Sequence, residues 1–249
     1  MDLIELKRLL GKWSERVEIT YTSETGSTSD DLKAAALRGA ADFSVRIADR
    51  QTKGRGREGK TFESPSGLYM SLLLPYSPET VPFLTHLTAI AVARAVRDLT
   101  GEDARIKWVN DVYVRGKKIC GILTECIAAG DQRRVIVGIG VNANTPPEDF
   151  PAELRAIAGA ISADRTALAA RILSELFGEL DDFSEDRVKR DYRELCFLLG
   201  ERVSVIKKEG GRDATVLDLD DNLGLIVRYD DGSLETLIAG EVSLKRKTL

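Results

Sequence analysis

Three successive segments between residues 105 and 142 constrain the fold of this chain more than any other feature. The last of them, RRVIVGIGVN, is rich in β-branched residues, which pack well on a pleated surface. RIKWVNDVYV and KKICGILTECI precede it, and an Arg-Gly turn and the turn AAGDQ separate the three segments. Short turns join antiparallel strands, since a parallel pair needs a crossover of about a dozen residues or more. The sequence therefore predicts an antiparallel sheet in the middle of the chain.

Helices and further strands are predicted around this sheet. The strongest helical segment, SPETVPFLTHLTAIAVARAVRDLTG, is apolar enough to be buried, and Gly101 ends it. Helical signals also occur at residues 2–10, at DLKAAALRG with Ser29 or Asp30 as its N-cap, and from Asp164 to Leu199. RVEITYTSE, FSVRIA and LYMSLLL are predicted strands. The main body is therefore expected to be α+β, with a mixed, mostly antiparallel sheet.

The pattern changes after Gly200. Short alternating segments are separated there by Gly-Gly, Asn-Leu-Gly and Asp-Asp-Gly, which favour tight turns and predict a small all-β barrel. We therefore expect two domains, residues 1–199 and residues 200–249. Residues 213–235 contain seven acidic residues and only Arg228 as a base, so we expect this surface to repel phosphate backbones and anionic lipids.

The composition disfavours several classes of protein. Lys and Arg number 36 against 40 Asp and Glu, a net charge of −4, which argues against a general nucleic-acid binder. One histidine excludes metal sites with two histidine ligands. No apolar segment approaches the roughly 18 residues of a membrane span, and the N-terminus does not resemble a secretory signal. Three cysteines without a Cys-x-x-Cys motif fit a reducing compartment. We expect a soluble, cytoplasmic protein that binds neither DNA nor membranes.

A loop at residues 46–60 concentrates positive charge, with six basic residues and two acidic ones. Within it, Gly54-Arg55-Gly56-Arg57 alternates glycine with arginine. Glycines let backbone N–H groups approach an anion, and arginine binds its oxygens bidentately. The loop therefore favours a phosphate or carboxylate site over a merely solvated surface loop.

Glycine motifs for two common nucleotide folds are chance matches. GRGREGKT at residues 54–61 fits the P-loop pattern, and GRGREG within it fits the dinucleotide fingerprint. Both patterns need a helix at the last glycine, which Pro65 and Gly67 prevent. GIGVNA at residues 138–143 runs into two prolines, which likewise prevent a helix.

Two further segments carry polar side chains suited to a site. Residues 107–111 (KWVND) place a base, an indole, an amide and an acid close together, and Lys118 begins an apolar strand. The simpler interpretations are the polarity of a strand end and a lysine stem lying along apolar surface. His86, in the apolar helix, is predicted to belong to the core or its rim. Cys120 and Cys126 share one face of their strand and are predicted to be small packing residues. A nucleophilic triad is disfavoured without Gly-x-Ser-x-Gly.

Six blocks follow one another along the chain. They are Gly26-Ser27-Thr28-Ser29, Gln51-x-x-Gly54-Arg55-Gly56-Arg57-x-Gly59, Ser64-Pro65-x-Gly67, Lys107-Trp108-x-Asn110-Asp111, Lys117-Lys118-Ile119-x-Gly121-Ile122-Leu123-x-Glu125 and Gly138-x-Gly140-Val141-Asn142. Together they resemble the catalytic region of biotin protein ligases over roughly residues 20–145, and the C-terminal segment is similar to that family's SH3-like domain. The chain departs from the family pattern at Ser29 for Asn, Phe62 for Trp, Val109 for Pro and Cys120 for Ala.

The resemblance implies a class II synthetase-like fold and two half-reactions. Biotin and ATP form biotinyl-5′-AMP and pyrophosphate with Mg²⁺, and a lysine of a biotin carboxyl carrier protein then accepts the biotin. The implied catalytic residues are Lys118, Arg55, Arg57 and Asp111. The implied biotin contacts are Ser27, Thr28, Ser29, Gln51, Gly54, Arg55, Gly56, Arg57, Lys118 and Gly121. The implied ATP contacts are Arg55, Arg57, Phe62, Lys107, Trp108, Asn110, Lys118 and Asn142. No metal ligand is identified.

Two alternatives bear on this interpretation. A lipoate-type ligase shares the reaction class and the fold, and the Gly-Arg-Gly-Arg loop with the Lys-Trp-x-Asn-Asp block favours biotin over it. Some biotin ligases also act as repressors through an N-terminal winged helix-turn-helix of some 60 residues. About 15 residues precede the first predicted strand here, so we expect a monofunctional ligase without that domain. A homodimer is the expected assembly.

Overall fold

The computed structural model describes residues 1–57, 67–130, 132–207, 210–238 and 241–244. Within these ranges the chain forms a seven-stranded sheet, a five-stranded sheet and five α-helices. The helices are α1 (Leu3–Leu10), α2 (Thr28–Leu37), α3 (Leu84–Thr100), α4 (Arg165–Asp181) and α5 (Glu185–Leu195). Each of them overlaps a segment for which the sequence predicts helical structure.

The large sheet is mixed but mostly antiparallel, as predicted. Its strands are β1 (Glu18–Thr25), β2 (Ser44–Gln51), β3 (Leu68–Pro75), β4 (Arg105–Lys107), β5 (Asp111–Val114), β6 (Lys117–Ala129) and β7 (Gln132–Val141). They are ordered β1-β2-β3-β7-β6-β5-β4, and β1 pairs with β2 in parallel while the other pairs are antiparallel. The first two strands run parallel because α2 connects them.

Strand β3 shows how the helices cover both faces of this sheet. Its residues 68–74 are all buried, which explains the unbroken apolar sequence LYMSLLL, since a strand covered on both faces needs no alternation. Leu72 joins the main core, to which α1, α3, α4 and α5 contribute. Leu73 faces the other way and packs with Leu32 and Ala36 of α2. Helix α2 therefore covers the opposite face of the sheet from the other four.

Two predictions about local structure were wrong. RIKWVNDVYV is not one strand but two, because the chain turns at residues 108–110 and pairs β4 antiparallel with β5. The turn is held by contacts with distant segments, described below, which a local pattern does not reveal. Helix α2 also begins earlier than predicted. Ser27 is its N-cap and accepts a hydrogen bond from the N–H of Asp30 (3.4 Å), so Ser29 and Asp30 lie inside the first turn.

The cysteine prediction holds for one of two residues. Cys120 is fully buried, whereas Cys126 is exposed near the end of β6. Along the face that both cysteines share, Ile122 is buried, Thr124 is half-buried and Cys126 is exposed, so this face is buried at one end of β6 and open at the other. His86 is buried in α3, as predicted.

The C-terminal segment forms a small antiparallel sheet. Its strands are β8 (Arg202–Lys207), β9 (Gly210–Leu219), β10 (Leu225–Tyr229), β11 (Leu234–Leu237) and β12 (Glu241–Leu244), in the order β11-β10-β9-β8-β12. The last strand returns to pair with the first, as in an SH3-like domain. Val203, Val216 and Leu225 belong to the same hydrophobic cluster as the core of the large sheet. The two sheets are therefore packed together.

Candidate active site

A cavity of about 400 Å³ lies on the face of the large sheet that carries α2. The middle of β3, β6 and β7 forms its floor. Its walls come from the N-terminus of α2, the end of β2 with the Gly-Arg loop, the β4–β5 turn and a segment at residues 154–158. The antiparallel order of the sheet brings these distant segments to one place.

Most of the site residues expected from the sequence line this cavity. They are Ser27, Thr28, Ser29, Gln51, Arg55, Gly56, Arg57, Lys107, Trp108, Asn110, Asp111, Lys118, Gly121 and Asn142. Gly54 is buried but is not among the lining residues. Phe62 lies outside the described residues, as does the Ser64–Pro65 pair.

Lys118 and Asp111 form an ion pair at the cavity wall. The Lys118 ammonium lies 2.6 Å from a carboxylate oxygen of Asp111, and the two side chains are 32% and 18% exposed. The backbone of Lys118 is fixed as well, because its N–H donates to Ile157 (2.8 Å) and its carbonyl accepts from Gly159 (2.9 Å). The structure therefore holds this lysine as a fixed cation rather than leaving it to extend into solvent.

The arginines of the basic loop have partners of their own. Arg55 donates to both carboxylate oxygens of Glu125 (3.2 and 3.1 Å) and to Asp30 (2.7 Å). Arg57 donates to the amide oxygen of Asn110 (3.2 Å), across the cavity from the loop. Arg46 and Arg50 pair with Asp31 and Glu24 respectively. Much of the positive charge that distinguishes this loop in the sequence is thus balanced by carboxylates from α2, β1 and β6.

Hydroxyl groups and one amide form the polar end of the cavity. The Gln51 amide oxygen accepts from the backbone N–H and the hydroxyl of Thr28 (2.7 and 2.9 Å). The Ser71 hydroxyl lies 2.7 Å from that of Thr28 and 2.9 Å from that of Ser29. A Cβ on Gly138 would stand 2.8 Å from the Ser29 hydroxyl, so this glycine permits the close approach of α2.

Sequence reasoning missed several lining residues. Ser71 is one of them, and its signal was a lone hydroxyl inside the apolar sequence LYMSLLL. Leu154, Ile157 and Ala158 also line the cavity, and they lie in a segment without helical or strand periodicity. Their backbone is placed by pairing with β6, because Ala158 lies beside Lys118.

Asn142 offers an unused acceptor. Its side-chain N–H donates to the carbonyl of Gly159 (2.9 Å). Its amide oxygen is buried and has no hydrogen-bond partner within the part of the chain that the structure describes. Buried polar atoms are nearly always paired, so this oxygen is available to a donor on a bound molecule.

The β4–β5 turn is anchored outside the cavity. Trp108 is 4% exposed, and its indole N–H donates to the carbonyl of Leu223 (2.9 Å), in the turn between β9 and β10. The carbonyl of Val109 accepts from the hydroxyl of Tyr192 in α5 (3.0 Å). Val242 of β12 also lines the cavity, so the small sheet borders the site directly.

The Cys120 thiol, next to the cavity, does not provide a nucleophile. Burial raises the pKa of the Cys120 thiol well above its ordinary value, a shift that Lys118 opposes and Asp111 favours. The thiol therefore stays protonated at neutral pH.

Across residues 1–57, 67–130, 132–207, 210–238 and 241–244, no three His, Cys, Asp or Glu side chains are grouped closely enough to hold a metal ion by themselves. The fixed charges of the site are suited to binding an anion.

Comparison with known families agrees with this geometry. Residues 21–142 match the Biotin/lipoate A/B protein ligase family, and residues 198–245 match the biotin protein ligase C terminal domain. The chain is 31% identical to a biotin–acetyl-CoA-carboxylase ligase of Mycobacterium tuberculosis, over 94% of this chain and 92% of that protein. The chain therefore belongs to the biotin/lipoate A/B protein ligase family. Within that family its place is among the biotin protein ligases.

A further relative and a solved structure are also similar to this chain. A bifunctional ligase/repressor BirA of Bacillus subtilis is 41% identical over 58% of this chain, and the match spans 46% of that longer protein. The structure of a biotin protein ligase from Aquifex aeolicus in complex with biotin and ATP superposes with a TM-score of 0.78, at 28% identity, covering 92% of this chain and 99% of that one. Among the described residues, none of the helices has the length and apolar character needed to cross a membrane.

Proposed function

We propose that this chain is a biotin protein ligase. It activates biotin with ATP, releases pyrophosphate, and transfers biotin from biotinyl-5′-AMP to a lysine of a biotin carboxyl carrier protein. The observation that carries the proposal is one cavity with a fixed cation, Lys118, beside a polar end built from Thr28, Ser71 and Gln51. The named relatives and structural neighbours described above, all of them biotin ligases or ligase/repressors, support biotin rather than lipoate as the substrate.

In the first half-reaction, the carboxylate of biotin attacks the α-phosphorus of ATP. A carboxylate–phosphorus bond forms, and the bond to pyrophosphate breaks. Two anions meet in this step, and negative charge builds on the oxygens of the α-phosphate. Lys118 and Arg57 line the cavity as fixed donors for that charge, and preorganised cations lower the barrier for this kind of transfer. Asp111 holds the Lys118 ammonium in place.

The polar end of the cavity suits the ureido ring of biotin. Thr28 and Gln51, with Ser27 and Ser29, offer donors and acceptors, and Gly56 and Gly121 leave room beside them. Residues 121–123 of β6, on the floor of the cavity, are proposed to contact the fused rings and the valeryl chain, whereas Ile119 and Cys120 belong to the main core. A buried ureido group without partners would cost about 1–3 kcal/mol for each unpaired atom, so these contacts provide specificity.

The other side of the cavity is proposed to hold the nucleotide. Asn110 and Asn142 supply amide groups, and Lys107 and Trp108 lie on the same wall. ATP is used as its magnesium complex. Mg²⁺ usually keeps several waters and is bound by phosphates with one or two protein oxygens, so the Asp111 carboxylate and the unpaired Asn142 amide oxygen are donors of the fitting kind. The metal would neutralise charge on the phosphates.

The ion pairs of Arg55 support a different role for it from the one that the family resemblance implies. Its guanidinium is engaged by Glu125 and Asp30, so it would contact a phosphate only after leaving two carboxylates. We propose that Arg55 holds the Gly-Arg loop against α2 and β6, while Arg57 contacts the substrates.

In the second half-reaction, the amine of the carrier lysine attacks the carbonyl of the mixed anhydride. A C–N bond forms, the C–O bond to AMP breaks, and the amine loses a proton. The homodimer and the cytoplasmic location remain part of this proposal. The three cysteines, all free in the structure, support a reducing compartment.

The test is to incubate the purified chain with biotin, Mg-ATP and a carrier domain, and to measure the intact mass of the carrier. We expect the addition of one biotin, dependent on ATP. A parallel reaction with lipoate should leave the carrier unchanged. A carrier that gains no mass, together with pyrophosphate exchange that does not depend on biotin, would contradict the proposal.

A further inference from the structure

Two side chains at the end of the β4–β5 turn contact the cations of the site. The amide oxygen of Asn110 accepts from Arg57 (3.2 Å), and the next residue, Asp111, pairs with Lys118 (2.6 Å). The Asn110 side chain also donates to the carbonyl of Ile122 (2.8 Å) on the floor strand. A displacement of this turn would therefore move both partners of the two cations at once.

A residue of α5 that does not line the cavity holds the backbone of this turn. The hydroxyl of Tyr192, on α5, donates to the carbonyl of Val109 (3.0 Å), which immediately precedes Asn110. Tyr192 is fully buried, and the two residues are 83 positions apart in the sequence. The hydroxyl thus fixes the backbone at the point where the turn enters the site.

Tyr192 itself has little freedom to move. The ring of His86, on α3, packs edge-on against it with 4.8 Å between ring centroids. The neighbouring Asp191 is paired with Arg94, also on α3, so helix α5 is tied to the long helix at this position. Burial raises the pKa of the Tyr192 hydroxyl well above its ordinary value, which keeps it a donor over the working pH range.

We propose that Tyr192 is a positioning residue for the activation step, acting through the carbonyl of Val109 on Asn110 and Asp111. The inference rests on the proposed function. Thr28 and Gln51, the main polar groups proposed for the ureido ring, lie on α2 and β2 and not on the β4–β5 turn. We therefore expect its influence to be larger on the reaction at the phosphate than on the binding of biotin.

The test is Tyr192→Phe, which keeps the buried ring and removes only the hydroxyl. We expect the kcat of biotin-dependent pyrophosphate exchange to fall about tenfold, the scale of one hydrogen bond, while the Kd for biotin without ATP changes by less than about twofold. The control is Tyr229→Phe, which removes the hydroxyl that donates to Glu235 in the C-terminal sheet (2.5 Å) and should change neither value. Circular dichroism verifies that both variants are folded.

A double-mutant cycle separates positioning from a general loss of stability. If Tyr192 acts through Asn110, then Tyr192→Phe should add little to the loss of kcat already caused by Asn110→Ala. Fully additive losses, an unchanged kcat, or equal losses of kcat and biotin affinity would each overturn the inference. Should Tyr192→Phe not fold, Tyr192→Met takes its place in the same cycle. A wild-type chain without biotin-dependent exchange would instead contradict the proposed function.

Discussion

At the scale of single residues, Lys118 shows how the fold fixes a charge. A lysine has a flexible stem, and left alone it would hold its ammonium in water. Here the carboxylate of Asp111 and the backbone pairing with residues 157 and 159 give it one position. A cation that is already in place costs no reorganisation when charge develops on the substrate.

Lys118→Ala should reduce the formation of biotinyl-AMP by at least about 100-fold, the scale for losing one preorganised charge partner. The measurement is ATP–pyrophosphate exchange with saturating biotin. The matched control is Lys117→Ala. Lys117 is adjacent and exposed, its ammonium donates to the carbonyl of Arg155 (3.1 Å), and it does not line the cavity. A folded Lys118→Ala variant with near-normal exchange would contradict the role given to this residue.

At the scale of elements, α3 has a polar residue inside its buried surface. His86 is 6% exposed and packs between Phe83 and Tyr192, with ring centroids 6.5 and 4.8 Å away. Burial lowers its pKa to about 4, from an ordinary value of 6.5. The folded state therefore keeps the imidazole neutral at pH values where the unfolded chain already protonates it.

This shift predicts a pH-dependent stability. Above pH 6.5 both states are neutral at His86, so the group adds no pH dependence. As the pH falls from 6.5 towards 4, the unfolded state binds a proton that the folded state does not, and the free energy of unfolding decreases. At pH 5 we expect a loss of about 2 kcal/mol from this residue, which is the sequence's one histidine.

The measurement is urea unfolding at pH 7 and pH 5 of the wild type and of His86→Phe. We expect the variant to lose much less stability between the two pH values than the wild type does. An equal loss in both proteins would show that other groups carry the pH dependence.

At the scale of the whole molecule, the structure pairs several acidic residues of the C-terminal sheet with bases. Four of its carboxylates pair with bases that lie outside residues 213–235. The pairs are Arg193–Asp218, Arg202–Asp230, Lys207–Glu235 and Arg212–Asp231. These exposed pairs contribute little stability each, but they neutralise the charge. These pairs reduce the net negative charge expected from residues 213–235, because the bases come from β8, β9 and α5, and the repulsion of phosphates by this surface stays a prediction.

The position of this sheet predicts the effect of removing it. Truncation after Leu199 should leave a folded large sheet, since its helices all lie before that residue, but should impair pyrophosphate exchange. The truncated chain lacks Val242 at the cavity wall and the Leu223 carbonyl that holds Trp108. Circular dichroism and exchange are measured together, and full-length Trp108→Phe, which loses the indole N–H and part of the buried ring, should show a smaller loss than the truncation. A folded truncated chain with full exchange would contradict this role.

The sequence alone determined the helices, most strands and the residue types of the site. Periodicity within a segment reflects which face is buried, so α3, β3 and β7 could be predicted locally. The six blocks placed Lys118, Arg57, Thr28 and Gln51 in one functional set, and the structure brings these four to one cavity. The boundary at residue 199 stays a prediction, since the hydrophobic core continues across it.

Only the tertiary structure decided how those side chains are held. Trp108 meets Leu223 across 115 positions and Tyr192 meets Val109 across 83, and neither pair leaves a trace in local periodicity. The same holds for Arg55. Its charge in the sequence suggests that it binds an anionic ligand, but in the structure its guanidinium donates to Glu125, 70 positions away. The hydrophobic periodicity of a segment indicates which of its faces is buried, and this pattern can be read from that segment alone. Hydrogen bonds and ion pairs between distant segments depend on how the sheets pack, and so the three-dimensional fold determines them.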